Sequence, residues 1–490
     1  LDHRLRSSSA ILLAFAVPLG VYVASLRGDV SFWDTADLQT VPYILGIPYP
    51  TGFPGYVLLG WLWSHAVLAG TVAWRLNLLC ALASAGTAAA LAALLVAVGS
   101  ATPIAFGAAL AYGLAGAAWQ HATYVDVHPI AFCALAWAGV FAVRWARGAL
   151  WFDAVACAGA AAVAVACDNS TALMLPGLAL IAIARRPPLR RTLALVAVAT
   201  VAVAAVYAYL PLRSAAVSAA RSDPTLALGL APGRPFWDDG HPSTWAGFVR
   251  VVTGSDFSPQ SALTGMFSAP AIAGVVDDFV PAAAHDLGGL LPWLALFGGA
   301  MLWWRMPFVL GGLVAVGAVP LLFASAYSVE AEPSRYYLPA YFTLAAAAGY
   351  GVAVLDGGLH GIQRYAALAV IALAWGALLA SDVVAGSPLF AQPGDRDGRE
   401  WIARVAASAP PHAIVVASWN DATTLAYGSY VLHALGDRIV VTAEPHEYER
   451  FYRRWLHRRP IVVVAEDPQT FPYLHARKLD AETPYLYVLH

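Results

Sequence analysis

The sequence predicts a mainly α-helical, polytopic membrane protein: a bundle of about eleven transmembrane helices over residues 1–386, then a soluble α/β domain over residues 387–490. Three observations predict it. Of 490 residues, 60% are hydrophobic and only 12% charged, against roughly 45–50% and 25% in soluble domains. The mean hydropathy is +0.64. Charge is also uneven, with 23 of the 58 charged side chains in residues 391–490. This composition excludes a disordered chain, a nucleic-acid-binding protein and an ordinary soluble enzyme. The net charge of −2 points to no partner.

Apolar runs long enough to span lie at roughly 10–26, 74–98, 102–118, 128–145, 150–167, 170–185, 192–212, 286–303, 306–325, 336–355 and 365–385. Several are close to the ~17-residue lower limit for a spanning helix. The first run reads as a retained helix, because no small-x-small cleavage pattern follows it. Orientation follows from arginine. Arg4 and Arg6, Arg144 and Arg147, Arg185, Arg186, Arg190 and Arg191, Arg305 and Arg364 all fall on one side of an eleven-span bundle. The positive-inside rule makes that side the cytoplasm. The C-terminal domain is then external. Counting 54–70 as a further span would put the arginines outside, so that segment is expected to lie in or dip into the interface.

Two long segments, about 27–73 and 213–285, are expected outside; loops of that length are usually functional. The tail reads as βα units around a mostly parallel sheet. Its strands are AIVVASW, RIVVT, PIVVVAED and PYLYVL, and DGREWIARVAASA, DATTLAYGSYVLHAL and EPHEYERFYRRWLHRR are helical. No Gly-rich phosphate loop follows its first strand. The four cysteines, Cys80, Cys133, Cys157 and Cys167, sit in apolar stretches and read as buried small hydrophobes.

An ionisable group near a span is a functional hypothesis by default, because its burial is costly. Asp34, Asp37, Asp126, Asp168, Glu330 and Glu332 all lie toward the external side; Asp153 is the main exception. Carboxylates gathered at one end of a bundle can hold a divalent cation or take a proton from a hydroxyl. Asp34 and Asp37 open the loop WDTADLQTVPYILGIPYPTGFPGYVLLG, which Pro42, Pro48, Pro50 and Pro54 stiffen. A stiff loop suits a preorganised site, or a structural re-entrant loop. Arg213 and Arg335, at external span ends, can grip a lipid phosphate or snorkel to head groups. His121 and His128 flank Asp126.

Residues 34–60, D-T-A-D-L…G-I-P-Y-P-T-G-F-P-G-Y-V-L-L-G, resemble the D-S-G-E-L/F…G-I-P-H-P-P-G-Y-P-L-Y signature of the transmembrane protein 260 family. Its members are protein O-mannosyltransferase-like membrane proteins of GT-C fold. RLNLLCAL at 75–82, VDVHPIAF at 125–132, DNSTALMLP at 168–176, YLPLRSA at 209–215, HPSTWAGFVRVVTG at 241–254 and EPSRYYLP at 332–339 resemble further family segments, in order. Departures are Asp37 for Glu, Tyr49 for His, Asp126 for Glu, His128 for Tyr, and WDDGHP for N-W-G-D-P.

The resemblance implies an inverting glycosyltransferase. A polyprenyl-phosphate sugar, with mannose the sugar implied, would be the donor. A hydroxyl on an exported protein or a surface glycan would be the acceptor, on the external face of a bacterial inner membrane. It implies Asp34 or Asp37 as base, with Asp34 favoured by position. Arg213, Arg335, His128 and Tyr49 are implied at the substrate, and Asp126 and Asp37 at a divalent cation such as Mg or Mn. A transporter or flippase of lipid-linked sugars is the alternative. It would use the same carboxylates as a proton relay, and it predicts internal repeats and mid-membrane broken helices. A scaffold whose tail binds a partner would leave the Asp34–Asp37 loop unexplained.

Overall fold

The computed structural model describes residues 2–148, 150–327, 332–447, 453–456, 458–465, 476–479 and 484–489. The chain divides into two compact units. The first holds residues 1–26, 78–207 and 255–391; the second holds 27–77, 208–254 and 392–490.

The first unit is helical and Ala-rich. Small residues let its helices approach closely, which is how apolar helices gain packing when lipid removes the hydrophobic drive between them. At Gly298, on helix Leu291–Arg305, an added Cβ would stand 1.9 Å from the Ala347 carbonyl of helix Leu338–Gly358. Its core includes Leu91, Leu94, Leu135, Leu291, Leu338 and Tyr341.

Seven helices among the described residues are long and apolar enough to cross a membrane, or up to nine if each bent pair is one span. This is an integral membrane protein. The expected count of eleven is corrected. The run at 102–118 is two helices, Thr102–Gly113 and Gly116–Ala122, bent by 70°. The runs at 150–167 and 170–185 are shorter apolar helices, Trp151–Cys167 and Asn169–Ile183. The run at 286–303 is a 15-residue helix. Conversely, the expected loop 213–285 contains a bent apolar pair, Pro259–Gly265 and Ala269–Asp286, at 90°. The cause is local. Hydropathy reads composition, whereas breaks such as Asp168, whose side chain caps a new turn by accepting from Ser170 N–H, interrupt a run without making it polar.

In the second unit, helix Trp33–Ile44 carries Asp34 and Asp37 and ends at Leu45 in the left-handed conformation. Helix Pro54–Ala66 has 13 residues, about 20 Å at 1.5 Å per residue, too short to span. The sheet comprises β1 (Ile414–Ala417), β2 (Ile439–Thr442), β3 (Ile461–Ala465), β4 (Ala476–Lys478) and β5 (Tyr485–Leu489), in the order β2-β1-β3-β5-β4. The pairs β1–β2 and β1–β3 are parallel, as βα connections require. The pairs β3–β5 and β4–β5 are antiparallel, so the sheet is mixed rather than mostly parallel. Helix Asp397–Ser408 falls where the pattern placed it, whereas Trp419–Tyr430 starts two residues before the expected 421–435 and stops five residues short of its end. Part of the EPHEYER helix lies outside the described residues.

Candidate active site

Two polar clusters emerge, one in each unit. In the second unit, helix Trp33–Ile44 turns Asp37 fully inward. Neither Asp37 oxygen makes a hydrogen bond of ordinary geometry. Burial, then the charges of Asp239 and Asp34, push its carboxyl well above the usual range; the Tyr49 backbone N–H acts weakly the other way. Asp34 is half-buried, and its Oδ1 accepts from the Trp419 indole N–H at 2.8 Å. Tyr49 packs edge-on against Phe53 and Trp419.

The loop after Asp37 is held from three sides. Tyr209 donates to the carbonyls of Leu45 at 2.7 Å and Gly46 at 2.9 Å. Arg213 donates from Nε to Leu45 O and from Nη2 to Ile44 O at 3.1 Å. Its guanidinium lies 6.0 Å over the Trp237 ring. Cations near a helix C-terminus satisfy its last carbonyls. At Gly46 an added Cβ would stand 1.9 Å from Phe236 O, so only glycine fits there. Next to this contact, Asp239 N–H donates to Ile47 O at 3.4 Å.

In the first unit, Asp126 caps helix Val127–Ala146. Its Oδ1 lies 2.8 Å from His128 Nδ1, and Oδ2 lies 3.6 Å from His121 Nδ1 and 3.9 Å from Arg335 Nε. Burial opposes the Asp126 charge, but His128, Arg335 and hydrogen bonds from both histidines outweigh it and hold the carboxyl well below the usual range. His128 Nε2 lies 3.7 Å from Asp168 Oδ2. Arg335 Nη2 reaches Glu332 at 3.3 Å. His128, Asp168, Thr171, Arg335 and Tyr336 line a narrow cleft. Glu330 lies outside the described residues.

Asp34, Asp37, Tyr49 and Arg213 thus belong to one unit, and Asp126, His128 and Arg335 to the other. The residues do not fit the expected metal. Asp126 is already engaged by His128 and Arg335, and among the described residues no group of three or more His, Cys, Asp or Glu could hold an ion. Sequence reasoning missed Asp239 and Trp419. Asp239 lies in WDDGHP, whose departure from the family pattern was its only signal. Trp419 sits in the tail, and nothing local distinguishes it.

Residues 34–190 match the family model for the protein O-mannosyl-transferase TMEM260 N-terminal domain. These residues are similar to that domain. The resemblance read from residues 34–60 is therefore borne out. No curated relative matches the chain. Among solved structures, ArnT from Cupriavidus metallidurans in the apo state aligns at a TM-score of 0.56 and 15% identity, covering 98% of each chain. The same protein bound to undecaprenyl phosphate aligns at 0.54 and 15%, covering 98% of this chain and 97% of that one. The fold is GT-C-type, an ArnT-like helical bundle with a small C-terminal sheet.

Proposed function

We propose that this protein is an inverting glycosyltransferase that moves a sugar, mannose by family likeness, from a polyprenyl-phosphate carrier to a hydroxyl acceptor on the external face of a bacterial inner membrane. One observation carries the reading: the segment similar to the TMEM260 domain presents half-buried Asp34 next to a fully buried Asp37 carboxyl whose oxygens make no hydrogen bond of ordinary geometry. Unsatisfied buried polar groups are costly and persist where function needs them. The undecaprenyl phosphate bound by the ArnT neighbour supports a carrier of that class.

In this reading Asp34, held by Trp419, accepts the proton of the acceptor hydroxyl. The hydroxyl oxygen attacks the anomeric carbon, and the carrier phosphate leaves with the bonding electron pair, inverting the centre. Asp37, raised by burial, holds a proton and is the neutral partner that leaves the negative charge of the pair on Asp34. Tyr49 lines the sugar. Arg213 acts as a positioning residue that fixes the end of the Asp34–Asp37 helix. The acceptor is a protein Ser/Thr hydroxyl or a surface glycan.

The test is a panel of lipid-linked sugars, polyprenyl-phosphate-mannose first, with purified full chain in proteoliposomes. A new glycosidic bond of inverted configuration supports the reading. Movement of intact lipid-linked sugar across the bilayer, without a new bond, would establish the transporter instead.

A further inference from the structure

Within the first unit, helix Trp151–Cys167 and helix Leu189–Tyr207 lie side by side, and both start at an arginine-rich end. They are tied at two points. At the start, the Arg191 guanidinium lies 5.8 Å over the Trp151 ring. At the far end, the Tyr207 hydroxyl donates to the Val165 carbonyl at 3.4 Å. Between the ties runs an open groove of about 240 Å³, from Val155 and Leu195 to Ala166 and Val206, lined only by Ala, Gly, Val and Leu. For comparison, an engineered apolar cavity of about 150 Å³ takes up benzene. Gly159 opens onto the groove, and a Cβ added there would meet nothing within 4 Å. From Val155 to Ala166 the groove is about 17 Å long at 1.5 Å per residue. Half of a hydrocarbon core ~30 Å thick is about 15 Å. The groove therefore fits one acyl chain of one leaflet.

The mouth of the groove is charged. Arg185, Arg186, Arg190 and Arg191 are all exposed. Arg185 lies 4.7 Å over the Trp145 ring, and Trp145 meets Trp151 edge-on at 5.1 Å. Two guanidiniums and two indoles thus form one ladder beside the groove. Among the described residues, none of the four arginines pairs with a carboxylate. Asp153, on the groove's own helix, is buried and lies 2.8 Å from Arg144 instead. Tryptophan marks the head-group level of a bilayer. The arginines stand at the depth of lipid phosphates, above a slot that fits the chain below. General attraction to head groups accounts for the arginines but not for the groove. Lipid contact with any apolar face accounts for the groove but not for its unneutralised mouth.

We propose that this groove is a binding site for an anionic glycerophospholipid. One acyl chain lies between the two helices, and Arg190 and Arg191 hold the phosphate by charge-assisted hydrogen bonds. A polyprenyl chain is several times longer than the groove, so a membrane phospholipid fits it better than the sugar carrier does. The mouth lies at the end of helix Trp151–Cys167 opposite Asp168. The site is independent of the glycosyltransferase reading.

The test is lipid binding to the delipidated full chain in neutral detergent, read by native mass spectrometry. Phosphatidylglycerol, phosphatidylcholine of the same acyl chains, and polyprenyl phosphate are titrated in separately and in competition. Phosphatidylglycerol is expected to fill one saturable site, about 10–30-fold tighter than phosphatidylcholine, the effect of two arginines near a lipid surface. Arg190→Gln and Arg191→Gln, both at exposed positions, should each weaken it about fivefold. Gly159→Leu fills the groove with the arginines in place and should abolish the saturable site. Ala202→Leu, exposed on the opposite wall, makes the same test on the other helix. Equal binding of the two phospholipids, or undiminished binding in Gly159→Leu and Ala202→Leu, would overturn the proposal. Polyprenyl phosphate that displaces phosphatidylglycerol, and is itself lost in the arginine and groove variants, would give the groove to the carrier and overturn it as well.

Discussion

Asp37 shows what the site costs the fold. A carboxyl that is fully buried beside the charges of Asp239 and Asp34 holds its proton more tightly folded than unfolded. The native state therefore binds more protons between the ordinary carboxylate value of ~3.9 and the raised native value. Stability should fall there as pH rises, by up to ~1.4 kcal/mol per unit, and then level off. Asp37→Asn removes the titration. It is expected to unfold at a higher temperature than wild type at neutral pH, and thermal melts across pH measure this. Asp126 has the opposite sign. Its carboxyl is held low by His128 and Arg335, so its contribution is present above ~3.9 and lost only as pH falls through its depressed value. Arg335→Gln should bring that acid loss to higher pH, as the same melts would show.

At the scale of elements, the site depends on two turns meeting backbone to backbone. Gly46 abuts Phe236, and Ile47 accepts from Asp239. Gly46→Ala puts a methyl into a carbonyl oxygen and should destabilise by about 1–3 kcal/mol, the usual cost of overpacking. Arg213→Lys loses the planar fork that serves two carbonyls at once, and should weaken the end of helix Trp33–Ile44. Protection of the amides of residues 45–47 from hydrogen exchange would report it. The sequence made this loop visible through its Pro–Gly spacing. It did not show that WDDGHP docks on it, because nearly 200 residues separate the two and no local pattern encodes so distant a contact. Arg213 was legible as a charge at a span end. Its commitment to backbone carbonyls was not, since capping depends on where a partner helix stops.

For the whole molecule, composition alone carried the class: apolar content and sparse charge specify a membrane bundle. Span number was less legible. Breaks at Leu114–Ala115 and at Asp168 cut runs that hydropathy reads as continuous, and the bent pair at 259–286 hides within a segment rich in turn residues. In the tail, β1 to β3 followed the βα pattern, whereas β5 lies antiparallel beside β3. The expectation that the second unit's sheet is external, drawn from the arginine distribution, has a direct test. His412, whose side chain is 68% exposed, offers a reporter. In intact spheroplasts, His412→Cys is expected to react with a membrane-impermeant maleimide; reaction only after permeabilisation would reverse the orientation.

The measurement that tests the central claim most directly is sugar transfer from polyprenyl-phosphate donors by wild type, Asp34→Asn and Asp37→Asn at equal expression. The account expects wild-type transfer with inversion, and a loss of about 100-fold or more in Asp34→Asn, the scale of a missing general base. Asp37→Asn, neutral as the protonated carboxyl is, should fold well and keep transferring. Full transfer by both variants would contradict the assignment of this carboxylate loop as the active site.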